Sequence, residues 1–466
     1  MAHRRVRWID DNEFDSGAVP LAVSHSSSAR RRTRKNKQRG IAKAAPIAAP
    51  RSQVLAWWMV AATLCCAAWI VDPLADDSFD APKRLCVLIG AALASVALLW
   101  RSPPVNWRAW PAPAKWILAA AAAGMLCVLL AACASPHPEL AWPSLRRFVV
   151  MALFAALGAS RLFDGAAGTR MFAVFIIACT VNALLSLTQS SGLEFLPVAQ
   201  VGGRFNTGAL LGNEGYVALA CAMLAASSIA CALNTDSRRA RAGFALLAGL
   251  GLAVIMLNQQ KTAAVGLATA LLAVAALRWR MYWLLAGMAG LVVLGATTAL
   301  FPPLRAATWG ALPLSSYQQV TTYRVGPWIA AVDMAAERPL SGYGPGTFAA
   351  EMQTHQFAAE IRLHERLGQP TGASFVRAHQ DYLQLAAEAG IPALLLFLGA
   401  LLALFTCLAL RTSPTQEQQV LIAILCTGLI VALGWFPMHI PFTACVLLLC
   451  AGRAWRLIAT PQQVSR

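Results

Sequence analysis

Charge is what this chain has least of. Asp, Glu, Lys and Arg together make up 13% of its 466 residues, against about 25% in soluble domains. That shortage excludes a soluble enzyme and a disordered chain alike. Acidic residues are scarcest, 21 against 38 Lys and Arg, which leaves a formal charge of +17. In a soluble protein such an excess points to nucleic acid; here the placing of the charges matters more than their sum. Several chemical signatures are missing too. With no Walker A sequence, no nucleotide energy source is visible. Gly342-Tyr343-Gly344-Pro345-Gly346 has neither the strand nor the spacing of a dinucleotide-binding turn. His364-Glu365 lacks the second His of a zinc-protease motif, and no close pair of carboxylates suggests a glycosidase or a metal site. No alternating ten-residue pattern supports a membrane β-barrel. All twelve cysteines fall inside apolar runs, which argues for packing and against a disulfide framework or a metal.

What the chain does have is long apolar runs. A helix needs about 20 mostly apolar residues to cross some 30 Å of hydrocarbon. About twelve runs approach that length: Val54–Val71, Leu85–Trp100, Trp116–Ala134, Phe148–Leu162, Met171–Leu187, Tyr216–Leu233, Phe244–Leu257, Thr262–Leu277, Tyr282–Leu300, Ile391–Leu410, Val420–Phe436 and Ile440–Ile458. They are rich in Ala and Leu with scattered Gly, as packed membrane helices are. The expected fold is all-α, a polytopic membrane protein of about 12 transmembrane helices with a large, partly helical outer loop. With the N-terminus inside, roughly 26 of the 38 basic residues face the cytoplasm, as the positive-inside rule requires. An even number of spans returns the C-terminus to the same side. The expected organisation is a basic cytoplasmic arm over 1–52, nine spans over 53–300, an outer loop over 301–390, three spans over 391–458 and a cytoplasmic tail over 459–466. The arm, with Arg30-Arg31-Arg32-Thr33-Arg34-Lys35, reads as disordered. It suits a topology anchor on anionic lipid, with a specific partner or RNA as the alternative, and it is no signal peptide.

The outer connections from about Gln189 to Gly215 and from Phe301 to Gly390 are too long for turns, and long ordered loops carry function. In the second, Pro327–Glu337 reads as a helix with proline at its start, Glu351–Arg366 as a charged amphipathic helix, and Ser374–Ala389 as a helix closed by Gly390. On that last helix His379, Tyr382, Leu383 and Ala386 would share a face. Three cations lie on the same side of the membrane. Arg204 precedes the sixth span, Lys261 sits between two apolar runs with almost no loop, and Arg324 stands at a helix start. An ionisable residue buried between spans is a functional candidate, and a helix N-terminus favours an anion. Cations of this kind would hold a diphosphate leaving group. A histidine, with an ordinary pKa near 6.5, would take the proton of an acceptor hydroxyl. His355 and His364 read as surface residues.

The stretch Tyr323–Ala393 resembles the O-antigen ligase / Wzy-polymerase superfamily of bacterial polysaccharide assembly. The match runs through Arg324, Trp328, Pro339-Leu340-Ser341-Gly342-Tyr343-Gly344, Gly346 and Phe348. It continues through His379-Gln380-Asp381-Tyr382-Leu383-Gln384 to Glu388-Ala389-Gly390-Ile391. The His-Gln followed by Gly390 is similar to the ligase version. The resemblance implies transfer of a glycan from undecaprenyl diphosphate to a sugar hydroxyl on the periplasmic face of the bacterial inner membrane, without metal, nucleotide or other cofactor. It implies His379 as base and Arg324 as one diphosphate-binding arginine. Lys261 falls where the family usually has an arginine, keeping the charge without the bidentate fork, and Arg204 is a weaker match. Asn213, Asp381 and Tyr382 would support them. The expected partners are the lipid-linked donor, a lipid A-core or glycan acceptor and the bilayer, with no nucleic acid. O-antigen ligation leads. A polymerase of repeat units follows, then a transferase to protein hydroxyls, and from a different class a polysaccharide transporter.

Overall fold

A computed structural model describes residues 51–100, 106–194, 206–281, 314–368, 375–411 and 414–460. The basic arm, Arg204, the ninth apolar run and the C-terminal tail beyond 460 lie outside these residues. The other eleven runs all form helices. They are α1 Arg51–Trp69, α2 Asp80–Leu99, α3 Ala112–Cys133, α4 Pro138–Ala159, α5 Ala166–Ser190, α6 Glu214–Asn234, α7 Arg238–Leu257 and α8 Lys261–Arg278. After the long connection, which contributes α9 Leu314–Val320, α10 Val325–Glu337 and α11 Phe348–Leu367, come α12 Asp381–Ala409, α13 Gln416–Val431 and α14 Pro441–Ala459. Ten of these are long and apolar enough to cross a membrane, and among the described residues there is no strand. The chain is therefore an all-α, polytopic membrane protein.

The eleventh expected span is shorter than the sequence suggests. α13 has 16 residues, about 24 Å of helix, and Leu433–Phe436 leave the helix where the apolar run continues. Pro437 opens the next turn, and the residue before a proline is biased away from α geometry. This early exit presents Trp435 and Phe436 on a connection instead of on a helix face.

α6 is the most enclosed span. It packs against α5, α7, α8 and α13, and its buried side is mostly Ala, Ser and Cys. Small side chains let helix backbones approach closely, which matters where lipid supplies no hydrophobic drive. All twelve cysteines are free thiols.

Outside the spans α10 packs on α11 and on the start of α12. Their shared core is Ala330, Ala331, Met334, Tyr343, Phe348, Met352, Ala378 and Ala387. The turn between α10 and α11 is fastened to α12 by an unusual bond set. Gly390 has φ +83° and ψ 164°, so α12 kinks there, and Pro392 has no N–H to give. The Ala387 and Glu388 carbonyls thus lose their helical donors and accept instead from the Tyr343 and Gly344 amides at 2.9 and 2.8 Å. The Ile391 amide turns to the Pro339 carbonyl at 2.8 Å. A side chain at Gly342 would collide with the α12 backbone, 2.5 Å from the Glu388 carbonyl carbon. The Gly-rich turn in the sequence is a backbone clamp on a broken helix.

Candidate functional site

His379 is not on a helix. Its φ is +53°, a left-handed conformation that cannot lead into an α-helix for a non-glycine residue without strain. α12 begins two residues later than His379, capped by the Gln380 side chain, which accepts from the Leu383 amide. The expected helix over Ser374–Ala389 therefore starts seven residues late, and His379 does not share a helix face with Tyr382. Tyr382 instead donates to the Leu429 carbonyl at 2.7 Å, tying α12 to α13. Tyr382→Phe should cost about 0.5–1.5 kcal/mol, the net worth of one hydrogen bond, read as a small fall in the thermal unfolding midpoint with little change in activity.

The imidazole of His379 packs edge-on against three rings: Phe375 at 5.6 Å, Trp435 at 5.4 Å and Phe436 at 4.8 Å between centroids. Trp435 and Phe436 are themselves stacked, 5.1 Å apart and nearly parallel. Each carries a guanidinium. Arg324, the residue capping the start of α10, lies with Cζ 4.2 Å from the Trp435 ring and donates to the Gly434 carbonyl at 2.9 Å. Arg377 lies with Cζ 4.7 Å from the Phe436 ring, and one of its nitrogens is 3.9 Å from Asp80 at the start of α2. Such contacts draw a cation to the negative face of a ring. Elements far apart in sequence thus meet on one aromatic pair.

Nδ1 of His379 and the indole nitrogens of Trp328 and Trp435 are enclosed with no hydrogen-bond partner. Enclosed polar groups are costly when unpaired, and two of these, on His379 and Trp435, belong to rings in contact with each other. Burial, then Arg324, then Arg377, push the His379 pKa down to about 3. Its ordinary value near 6.5 does not apply here. The ring is neutral at physiological pH and free to accept a proton, but it is a weak base.

Asp381 holds the scaffold beneath. Its carboxylate accepts from His439 Nδ1–H at 2.8 Å and from the Met438 amide at 2.9 Å, so the start of α12 grips the connection that carries Trp435 and Phe436. Nε2 of His439 then faces the Gln384 amide at 3.3 Å, and Gln384 donates to Glu388 at 2.9 Å. Glu388 is 3.4 Å from Arg147 on α4. Burial holds the His439 pKa well below the usual value, in keeping with a neutral Nδ1–H tautomer.

Of the remaining sequence candidates, Asn213 caps α6, its side chain accepting from the Gly215 amide at 2.8 Å. Gly215 lies against Trp435, so this cap sits under the site. Lys261 is the first residue of α8 and its side chain is exposed, not enclosed between spans as the sequence suggested. The buried groups in that connection are Asn258, which accepts from Thr207 at 2.6 Å, and Gln260. Thr262, the residue after Lys261, lies against Gly434, whose carbonyl anchors Arg324. Arg204 lies outside the described residues. His364 is exposed as expected, but His355 is buried. It lies 3.2 Å from Glu337, whose carboxylate also accepts from the Tyr343 hydroxyl at 2.6 Å. Burial, with Glu337 beside it, pushes the Tyr343 pKa up to about 12.

Arg377, Trp435, Phe436 and His439 were missed by sequence reasoning. The aromatic pair was absorbed into an apolar run, though Trp435-Phe436-Pro437 is a signal that a run is ending. Among the described residues no cluster of His, Cys, Asp and Glu has the makings of a metal site. Residues 244–398 match the model of the Wzy_C family, described as O-antigen ligase. The comparison with curated proteins returned no match.

Proposed function

We propose that this chain, which carries a Wzy_C domain of the O-antigen ligase superfamily over residues 244–398, is a glycosyltransferase that moves a glycan from undecaprenyl diphosphate to a sugar hydroxyl at the periplasmic face of the inner membrane. The family supports a membrane glycan ligase- or polymerase-type function. Within it we favour ligation of O-polysaccharide to lipid A-core, on the His-Gln and Gly390 of the motif. The reaction needs no metal or cofactor in this reading. The N- and C-termini are cytoplasmic, and the outer loop over 301–390 carries the catalytic elements.

One observation carries the proposal: Arg324 and His379, from opposite ends of the long connection, converge on the Trp435–Phe436 pair. The acceptor oxygen attacks the anomeric carbon, the bond from that carbon to the diphosphate oxygen breaks, and the diphosphate leaves with the electron pair. His379 takes the hydroxyl proton on Nε2, since Nδ1 is the enclosed nitrogen. Arg324 meets the charge that grows on the leaving group. Arg204 and Lys261 would contribute further positive charge. A transporter would hold ionisable groups near the bilayer midplane. Among the described residues Asp80, Lys83 and Glu214 stand instead at helix starts, Glu388 lies beside the kink of α12, and Arg147, inside α4, is paired with Glu388.

Deleting the gene and examining both lipopolysaccharide and secreted polysaccharide tests the reading. A ligase mutant accumulates polymer on undecaprenyl diphosphate with bare core outside. Single-repeat products would identify a polymerase instead, and unaltered glycans would sink both. At the residue level, Arg324→Ala should lose one charge-assisted contact, roughly 1.5–3 kcal/mol, or about 10- to 150-fold in donor use. Lys261→Ala should lose less, because that side chain is exposed, and Lys261→Arg should stay active. Titration of lipid-linked donor against turnover in membranes checks this order.

A further inference from the structure

Arg377 belongs to no motif noted above, yet it mirrors Arg324. The two guanidiniums reach the stacked pair from different elements, Arg324 on Trp435 and Arg377 on Phe436, and the His379 ring edges against both aromatics. Among the described residues the carboxylate of Asp80 lies 3.9 Å from Arg377 and offsets part of its charge. The other titratable groups around the site are Arg84 on α2, Arg147 on α4, Glu214 and Tyr216 on α6, Asp381 and Glu388 on α12, and His439 before α14. Of these, Asp381, His439, Glu388 and Arg147 are occupied with one another. The imidazole, whose own Nδ1 is enclosed without a partner, therefore sits at an aromatic pair that carries two cations.

A general base works best with a pKa near the working pH. His379 is far below that, pushed down by burial and by the same two arginines. We propose that the donor switches the base on: its diphosphate neutralises Arg324 and Arg377 together, so that His379 becomes an effective base only when a donor is bound. This rests on the diphosphate reading of the site and adds to it a second anion-binding arginine and an order of events. The acceptor hydroxyl is activated after the leaving group is in place and not before. An opposite charge within about 4–6 Å of a titrating group shifts its pKa by 1–3, enough to bring His379 back toward the useful range.

The test uses full-length enzyme in lipid nanodiscs with isotope-labelled histidine, the His379 signal being assigned by its loss in His379→Gln. Inorganic pyrophosphate is the probe, with calorimetry to follow its binding. Saturating pyrophosphate should raise the His379 pKa by at least about one pH unit. Arg377→Gln should raise it in the empty enzyme and blunt the response, whereas Arg377→Lys should leave it low. If Arg377→Gln does not fold, Arg324→Gln carries the same expectation from the other ring. A His379 pKa unmoved by pyrophosphate that is demonstrably bound, or unmoved by loss of either arginine, overturns the coupling while leaving the diphosphate site standing. Pyrophosphate that fails to bind, while the arginine variants do shift His379, overturns the diphosphate reading itself and the switch with it.

Discussion

His379→Ala is expected to lower glycan transfer by about 10²–10⁴-fold, the usual worth of general-base help, while the protein stays folded and still binds the lipid-linked donor. A sugar hydroxyl is a poor nucleophile at neutral pH, whereas a diphosphate leaves readily, so the base matters to the acceptor more than to the donor. The fold should survive because the ring is held by aromatic edges and makes no hydrogen bond through Nδ1. His379→Gln keeps a polar group in place but cannot take the proton, and should be nearly as inactive. Single-turnover transfer measured beside donor binding separates the two effects. Near wild-type transfer by His379→Ala would remove the base from this residue. Asp381 would not simply inherit the role, since its carboxylate is engaged by His439 and the Met438 amide.

The second large effect is on folding. Gly390→Ala places a methyl 2.4 Å from the Leu340 carbonyl oxygen, in a backbone region that only glycine occupies comfortably. Holding alanine there costs of order 1–3 kcal/mol. Moving Leu340 aside also strains the Ile391–Pro339 and Tyr343–Ala387 bonds, each worth about 1 kcal/mol. The variant should lose a large part of its folded yield in detergent. Gly399→Ala, on the same helix with open space around it, should be neutral or slightly stabilising, since alanine is the better helix former. Size-exclusion profiles of the two variants over a temperature series give the comparison. Equal behaviour would mean that the kink is not needed.

Most of the helices were legible in the sequence because a membrane span declares itself by composition alone. Eleven apolar runs are short on charge and became eleven helices, and the Gly-Tyr-Gly-Pro-Gly turn and Gly390 stood out by residue type. The limits have physical causes. Window-averaged hydropathy cannot see that Trp435 and Phe436 leave the helix, because an aromatic residue counts as apolar on either side of a boundary. Helical spacing put His379 on a face with Tyr382, because periodicity carries no sign of a left-handed φ before an N-cap. Arg377 stands only two residues from His379, but nothing local says that its guanidinium will cover Phe436, which arrives from 59 residues further along the sequence. Lys261 looked enclosed because its flanks are apolar; the structure buries Asn258 and exposes the lysine.

The break at Gly390 turns α12 into two levers joined at a hinge. Residues 391–409 form the lower one, 19 residues or about 28 Å of helix, close to the thickness of the hydrocarbon layer. This segment, packed along α3, is the part expected to tilt when bilayer and helix differ in length. Residues 381–389 form the upper one, moored by Tyr343 and Gly344 on one side and by His439 and Leu429 on another. Any such tilt should be taken up where Ile391 bonds to Pro339 in place of its own helix. The spacing between His379 and the Trp435–Phe436 pair should thereby vary little with the depth of the surrounding lipid.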